Sequence, residues 1–244
     1  MQQHRIYTSQ PLQSGVSLIL EEGPARHLTQ VLRLKPGAEI ILFNGDGHDY
    51  RARLGEVTKR STGARIEQRL EPAEAPAALQ IQLAIAISKG ERMDFAIQKA
   101  VELGVTGITP LISERCVVRL PGERLEKKLQ HWRQVIIAAC EQSGRRRIPL
   151  CHEVVDLSEW LTSGEIRGGL LLDHRSEHSL PELDPPRGEI SLLIGPEGGL
   201  SEMERNLAAT AGFSSVRLGP RVLRTETAPL AAIAVIQALW GDFR

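Results

Sequence analysis

Two glycine-bearing turns near the C-terminal end constrain this chain more than any other feature: Leu193-Ile194-Gly195-Pro196-Glu197-Gly198-Gly199 and Leu218-Gly219-Pro220-Arg221-Val222-Leu223-Arg224-Thr225-Glu226-Thr227-Ala228. Each follows a short β-like run and precedes a helix-like one. Residues 190–194 are apolar and β-branched, and the glycines after them allow a sharp turn or the close approach of a ligand. Ser201-Glu202-Met203-Glu204 then reads as a capping box opening a helix. Thr225 or Thr227 ahead of Pro229 offers a second helix start. Two strand–turn–helix units place two sets of backbone amides on one sheet edge, and open α/β sheets bind ligands at the carboxyl edge. Either turn alone is ordinary turn chemistry. Together, with Glu197, Arg224, Thr225 and Glu226 in segments that small residues would fill equally well, they favour a binding site, with Gly198 as the expected point of close approach or unusual backbone angle.

The segments before these turns set the architecture. From residue 79 strand-like and helix-like runs alternate to the end, which is the pattern of a parallel sheet with helices on both faces. Residues 79–87 alternate as a strand, and 91–103 form an amphipathic helix with Met93, Ile97, Ala100 and Val101 inward. Residues 1–70 read instead as mostly β. Strands are expected at 38–43, 50–57 and 64–70, with Asn44-Gly45-Asp46-Gly47 as a hairpin turn. One helix, 24–34, interrupts them, with Leu28, Val31, Leu32 and Leu34 as its apolar stripe and Arg26, His27 and Arg33 outward. Glu71-Pro72-Ala73-Glu74-Ala75-Pro76-Ala77-Ala78 has linker composition, so the chain is divided into domains 1–72 and 73–244.

Composition narrows the function classes. Lys plus Arg and Asp plus Glu balance at 30 each, so any nucleic-acid site is a local patch rather than a general positive coat. Residues 1–70 hold ten Lys and Arg against seven Asp and Glu, a small basic excess. The longest apolar run, 230–240, is broken by Gln237 and is too short to span a bilayer. No charged start followed by an apolar stretch opens the chain, so a cytoplasmic protein is expected. Cys116, Cys140 and Cys151 lack metal-ligand spacing and read as buried thiols; His174 and His178, at i, i+4, have no third ligand nearby and read as a surface loop. A dinucleotide-binding oxidoreductase is disfavoured because no Gly-x-Gly-x-x-Gly follows a strand.

The two C-terminal segments closely resemble the signature of the RsmE family of 16S rRNA (uracil-N3)-methyltransferases, a branch of the SPOUT superfamily. The resemblance extends through His27-Leu28 with Val31-Leu32-Arg33, Glu102-Leu103-Gly104-Val105, Glu114-Arg115, and Glu141-Gln142-Ser143 with Arg145. It implies a small PUA-like β-barrel that binds RNA, followed by a parallel α/β methyltransferase domain whose C-terminal strands thread into a trefoil knot. It also implies S-adenosylmethionine as cofactor, no metal, 16S rRNA or the small ribosomal subunit as partner, and a homodimer burying the apolar last helix, 228–240.

By that resemblance the cofactor lies across three loops: the one after Gly169-Leu170-Leu171-Leu172, the 195–199 turn, and 218–228. The residues implied are Leu172, Ile194, Gly195, Pro196, Glu197, Gly198, Gly199, Leu218, Gly219, Leu223, Arg224, Thr225, Thr227 and Ala228. Methyl transfer requires nucleophile, methyl carbon and sulfur in line, and holding that geometry contributes roughly 7–11 kcal/mol of the barrier. Uracil N3 bears a proton at neutral pH, so a base, a cation, or both are needed. Glu197 and Glu226 are the candidate acceptors, and Arg224, Arg115 and Arg145 the candidate cations. Arg5, Arg26, His27 and Arg33 are the candidate RNA contacts. Two other functions fit the same turns: 2′-O-ribose methylation, and a non-catalytic RNA-binding assembly factor.

Overall fold

The three strands expected in the N-terminal residues are joined by two more in the computed structural model, which describes residues 4–57, 62–116, 122–164, 166 and 168–243. The five are β1 (Arg5–Tyr7), β2 (Ser17–Ile19), β3 (Glu39–Phe43), β4 (Asp49–Val57) and β5 (Thr62–Leu70), in the order β1-β3-β4-β5-β2. Only β1 and β3 pair in parallel; the other three pairings are antiparallel. Tyr50, Ala52 and Leu54 turn inward from β4 onto Ile6, Leu28, Ile40, Leu42 and Ile66, while Arg53 faces solvent. Of the basic residues counted in this region, Lys59 and Arg60 lie outside the described residues.

The expected regular helix over 24–34 is replaced by a short α1 (Glu22–Arg26) that widens into a π-turn, His27–Val31, closed by the Leu32 N–H donating to the His27 carbonyl at 2.9 Å. The wider turn rotates the side chains out of helical phase. Leu28 stays buried, but Val31 is 64% exposed rather than part of the stripe. Arg33 ends the segment at φ 53, and Arg26, His27 and Arg33 all face outward.

Strands β1 and β2 are the two edges of this sheet, and one carboxylate ties their ends together. Glu21, just past β2, accepts from the Thr8 hydroxyl at 2.7 Å and from the Ser9 amide and hydroxyl at 2.9 Å, just past β1. Burial acts to raise its pKa, but the hydrogen bonds from Thr8, Ser9 and Gln10 outweigh it and hold it at about 2.

The chain divides into two units, Met1–Pro76 with Cys140–Ile148, and Ala77–Ala139 with Pro149–Arg244. Segment 140–148 joins the first unit through charged groups. The Arg5 guanidinium donates to the carbonyls of Cys140 at 2.8 Å and Arg145 at 3.2 Å and to Asp49 Oδ1 at 2.8 Å, and lies 4.6 Å above the Phe43 ring. The Tyr7 amide donates to Glu141 Oε1 at 2.9 Å. Arg146 Nε donates to Asp49 Oδ2 at 3.0 Å, and the Arg147 amide to Glu74 at 3.1 Å. This corrects the reading of Arg5 as an RNA contact: its side chain is 12% exposed and committed to the fold. The linker-like residues around Glu74 are likewise anchored rather than loose.

The second unit contains β6 (Gln80–Ala86), α2 (Glu91–Glu102), β7 (Gly107–Ile112), α3 (Glu123–Ser143, ending in the first unit), β8 (Leu150–Cys151), β9 (Val155–Asp156), α4 (Leu157–Thr162), β10 (Gly169–Leu172), β11 (Glu189–Ile194), α5 (Glu202–Thr210), β12 (Phe213–Val216) and α6 (Thr227–Trp240). Its sheet runs β12-β10-β11-β6-β7-β8, with β9 also on β7, and every pairing is parallel. Met93, Ile97, Ala100 and Val101 are buried on α2 as expected. Cys116, Cys140 and Cys151 are buried and outside any disulfide; burial pushes the Cys140 thiol up to about 12. Among the described residues no helix is long and apolar enough to cross a membrane.

Glu21→Gln is expected to destabilise the protein by about 1–2 kcal/mol at neutral pH, because it removes a charged acceptor from several donors. A carboxyl whose folded pKa lies below its ordinary 4.5 contributes stability above that value and loses it as pH falls toward 2. Denaturant titrations in that window should therefore show a flatter pH dependence in the variant.

Candidate active site

Strands β10, β11 and β12 run the same way, so the segments leaving their carboxyl ends meet at one sheet edge. They enclose a cavity of about 500 Å3, within the range of roughly 300–1,000 Å3 usual for small-molecule sites. Apolar walls come from Leu171, Leu172, Ile194, Leu200, Leu218 and Leu223. Around them stand six arginines, Arg92, Arg115, Arg175, Arg205, Arg221 and Arg224, and three acids, Asp173, Glu197 and Glu226.

The 195–199 turn is shaped by its neighbours. The Gly199 amide donates to the Pro196 carbonyl at 2.8 Å, and Gly199 holds φ +66, where a Cβ is strained. A Cβ on Gly195 would lie 3.1 Å from Leu200 Cγ. Gly198 is not the residue of unusual backbone angle; its α-carbon faces Arg115, whose Cβ would be 3.4 Å from an added Cβ. A side chain would thus be strained at Gly199 and crowded at Gly195. The expected capping box follows: Ser201 Oγ accepts from the Glu204 amide at 3.2 Å, and Glu204 Oε2 from the Ser201 amide at 2.7 Å.

The charged groups are paired in particular ways. Arg92, in the first turn of α2, donates to Glu197 Oε1 at 3.3 Å, and Arg115 donates to the Gly198 carbonyl at 3.1 Å. Asp173, immediately after β10, accepts from Arg175 Nε at 2.9 Å and Nη2 at 3.0 Å. Burial acts to raise the Asp173 pKa, yet those bonds hold it below the usual carboxylate range. The Arg224 carbonyl accepts from the amides of Thr227 and Ala228 at 2.9 and 2.8 Å and so opens α6. Thr225 is buried, its hydroxyl 3.4 Å from Glu226 Oε2.

Most of the residues singled out in the sequence converge here. Leu172, Ile194, Gly195, Pro196, Glu197, Gly198, Gly199, Leu218, Leu223, Arg224, Thr225, Glu226, Ala228 and Arg115 line the cavity. Gly219 and Thr227 are in the same segments but not in the lining. Arg145 lies in the first unit, as do Arg5, Arg26, His27 and Arg33. The sequence reading missed Arg92, Asp173, His174, Arg175 and Arg205. A signal existed for the middle three, which directly follow the Gly169–Leu172 strand in a loop expected to meet the cofactor; His174 is exposed in that loop, as expected, and also lines the cavity. Among the described residues no group of three or more metal-ligating side chains clusters.

A family model described as an RNA methyltransferase domain matches residues 75–237, and one described as an RNA methyltransferase PUA domain matches residues 20–66. A Legionella pneumophila protein, solved in complex with its bound cofactor SAM, superposes with TM-score 0.95 at 40% identity over 100% of both chains. Ribosomal RNA small subunit methyltransferase E from Neisseria gonorrhoeae, solved with S-adenosyl methionine, gives TM-score 0.91 and 41% identity, again over 100% of both chains. The Buchnera aphidicola (subsp. Schizaphis graminum) protein of that name is 34% identical over 240 residues, 98% of this chain and 97% of the relative.

Gly199→Val is expected to destabilise the protein by about 1–3 kcal/mol through its left-handed backbone, and Gly198→Val by distinctly less. Denaturant unfolding of the two variants side by side checks this; equal losses would place the strain elsewhere in the turn.

Proposed function

This chain belongs to the ribosomal RNA small subunit methyltransferase E family, and on that premise we propose that it methylates N3 of a uridine in 16S ribosomal RNA, with S-adenosylmethionine as donor. The observation that carries the reading is the cavity itself, lined by the three segments that follow β10, β11 and β12. The residues present fit such a donor: apolar walls suit an adenine ring, the rim offers carboxylates for its cationic groups and arginines for its carboxylate, and the glycine turn lets backbone come close. Leu172, the 194–199 turn, Leu218 and residues 223–228 would hold it. When bound, it supplies an electrophilic methyl group, so the protein needs no covalent intermediate.

The chain's own residues then have two tasks, orientation and removal of the N3 proton. Asp173, kept ionised by Arg175, presents fixed negative charge at the end of β10. Glu197 is occupied by its contact with Arg92, whereas Glu226 has only the looser contact with the Thr225 hydroxyl. Glu226 is therefore the proposed acceptor of the N3 proton, with the Arg224 guanidinium placed to stabilise negative charge on the uracil oxygens. Arg115, bound to the Gly198 carbonyl, supports the turn.

The same reading gives RNA contact to Arg26, His27 and Arg33, which are exposed together around the π-turn. It includes the trefoil knot and a homodimer. In support of the dimer, α6 leaves Leu239 40% exposed and Leu230, Val235 and Trp240 half-buried. Its one inward polar residue, Gln237, is satisfied by donating to the Leu103 carbonyl at 3.0 Å. A monomer mass by light scattering at full activity would sink the dimer.

The test is methylation, with labelled donor, of small ribosomal subunits from a strain lacking this protein, with the labelled atom mapped by mass spectrometry. Label on N3 of a uridine is expected; label on a ribose 2′-oxygen would overturn the N3 assignment, and no cofactor binding by calorimetry would overturn the enzyme. Glu226→Gln should lower kcat by about 10²–10⁴-fold with cofactor affinity unchanged. Arg26→Glu and Arg33→Glu should weaken RNA binding and reduce its salt slope by about one for each cation replaced, again with cofactor affinity intact.

A further inference from the structure

A buried carboxylate outside the cavity connects the second unit's loops to one another. Glu204 is 2% exposed, on the first turn of α5, and its side chain does more than cap that helix. Oε2 accepts from the Ser201 amide at 2.7 Å, as a capping box requires. Oε1 reaches out of the helix and accepts from the Glu114 amide at 2.8 Å. The next residue is Arg115, whose guanidinium donates to the Gly198 carbonyl at 3.1 Å and whose Cβ and Cδ face the Gly198 α-carbon. One carboxylate thus grips both the loop that follows β7 and the start of α5, and the glycine turn lies between them.

We propose that Glu204 is a positioning residue for the cofactor, acting through Arg115: it fixes the Glu114–Arg115 backbone so that the Arg115 side chain supports the 195–199 turn at the cavity wall. This deepens the reading given above and rests on it. An ordinary capping box requires one oxygen of the Glu side chain. A carboxylate is needed here because both of its partners are N–H donors and neither oxygen can be replaced by an –NH2 without facing a donor with a donor. Ser201 separates the two roles, since its hydroxyl takes part in the cap but not in the Glu114 contact.

The experiment uses the full-length protein and measures KM for S-adenosylmethionine, kcat on small ribosomal subunits, and thermal midpoint. Glu204→Gln is expected to raise KM about tenfold while kcat falls less than about threefold. Ser201→Ala is the matched control, expected to lower the thermal midpoint with KM unchanged. In a double-mutant cycle with Arg115→Ala, Glu204→Gln should add little to the KM already raised by loss of the arginine. Additive effects, or an equal rise of KM in Ser201→Ala, would overturn the proposal and leave Glu204 as a stabiliser of α5. Should Glu204→Gln not fold, Glu204→Asp, too short to hold both amides, replaces it in the same cycle with the same criteria. If the wild-type protein itself neither binds the cofactor nor methylates, the functional reading fails rather than this one.

Discussion

Strand β11 lies between β10 and β6, paired in parallel with both, in register from Glu189 with Gln80 to Ile194 with Ile85 on one side and at Leu192 with Leu170 on the other. The remainder of the second unit depends on this arrangement. Parallel pairing obliges every strand to finish at the same edge, and the chain leaves β10 and β11 side by side into loops; the loop after β10 then makes a single isolated parallel bridge, Ser179 with Arg217. The strand order places β7 and β8 on one side of β6 and β11, β10 and β12 on the other, so the cavity opens beside the point where the winding reverses. Ile190, Leu192, Leu193 and Ile194 are buried because helices cover both faces.

Charge around the cavity is arranged in local pairs rather than as a field. Arg92 with Glu197 and Arg175 with Asp173 each hold an ionised carboxylate in an ion pair on the rim, and both pairs are partly exposed. Such contacts contribute little to stability, about 0–1 kcal/mol. Arg115 differs from the others, since its partner is the Gly198 backbone carbonyl.

In the first unit charged side chains serve the fold. Arg5 satisfies carbonyls at and beyond the end of α3, and Glu21 joins the two edges of the sheet. A small sheet with limited apolar surface gains order from such many-donor contacts, because each buried polar group finds its partner close by. The outward-facing Arg26, His27 and Arg33 are held by Leu28 and the π-turn, not by ion pairs along a regular helix.

The sequence by itself determined the alternation of strands and helices in the second unit, the capping box at Ser201 and Glu204, the buried face of α2 and the two glycine-bearing turns at the cavity, because each depends on residues within one or two turns of one another; the segment after β10 followed only from the family resemblance. It also placed Glu197, Arg224 and Glu226 at the site, since they lie inside the glycine-bearing turns. Only the tertiary structure decided that Arg92 meets Glu197 across 105 positions of chain and that Glu204 meets Glu114 across 90. It likewise made Arg5 a structural residue by folding residues 140–148 against β1. Long-range pairing leaves no periodicity in the chain, and a guanidinium reads the same in sequence whether it will face solvent, a carboxylate or a carbonyl; which of these it meets is fixed when the sheet brings distant loops to a common edge.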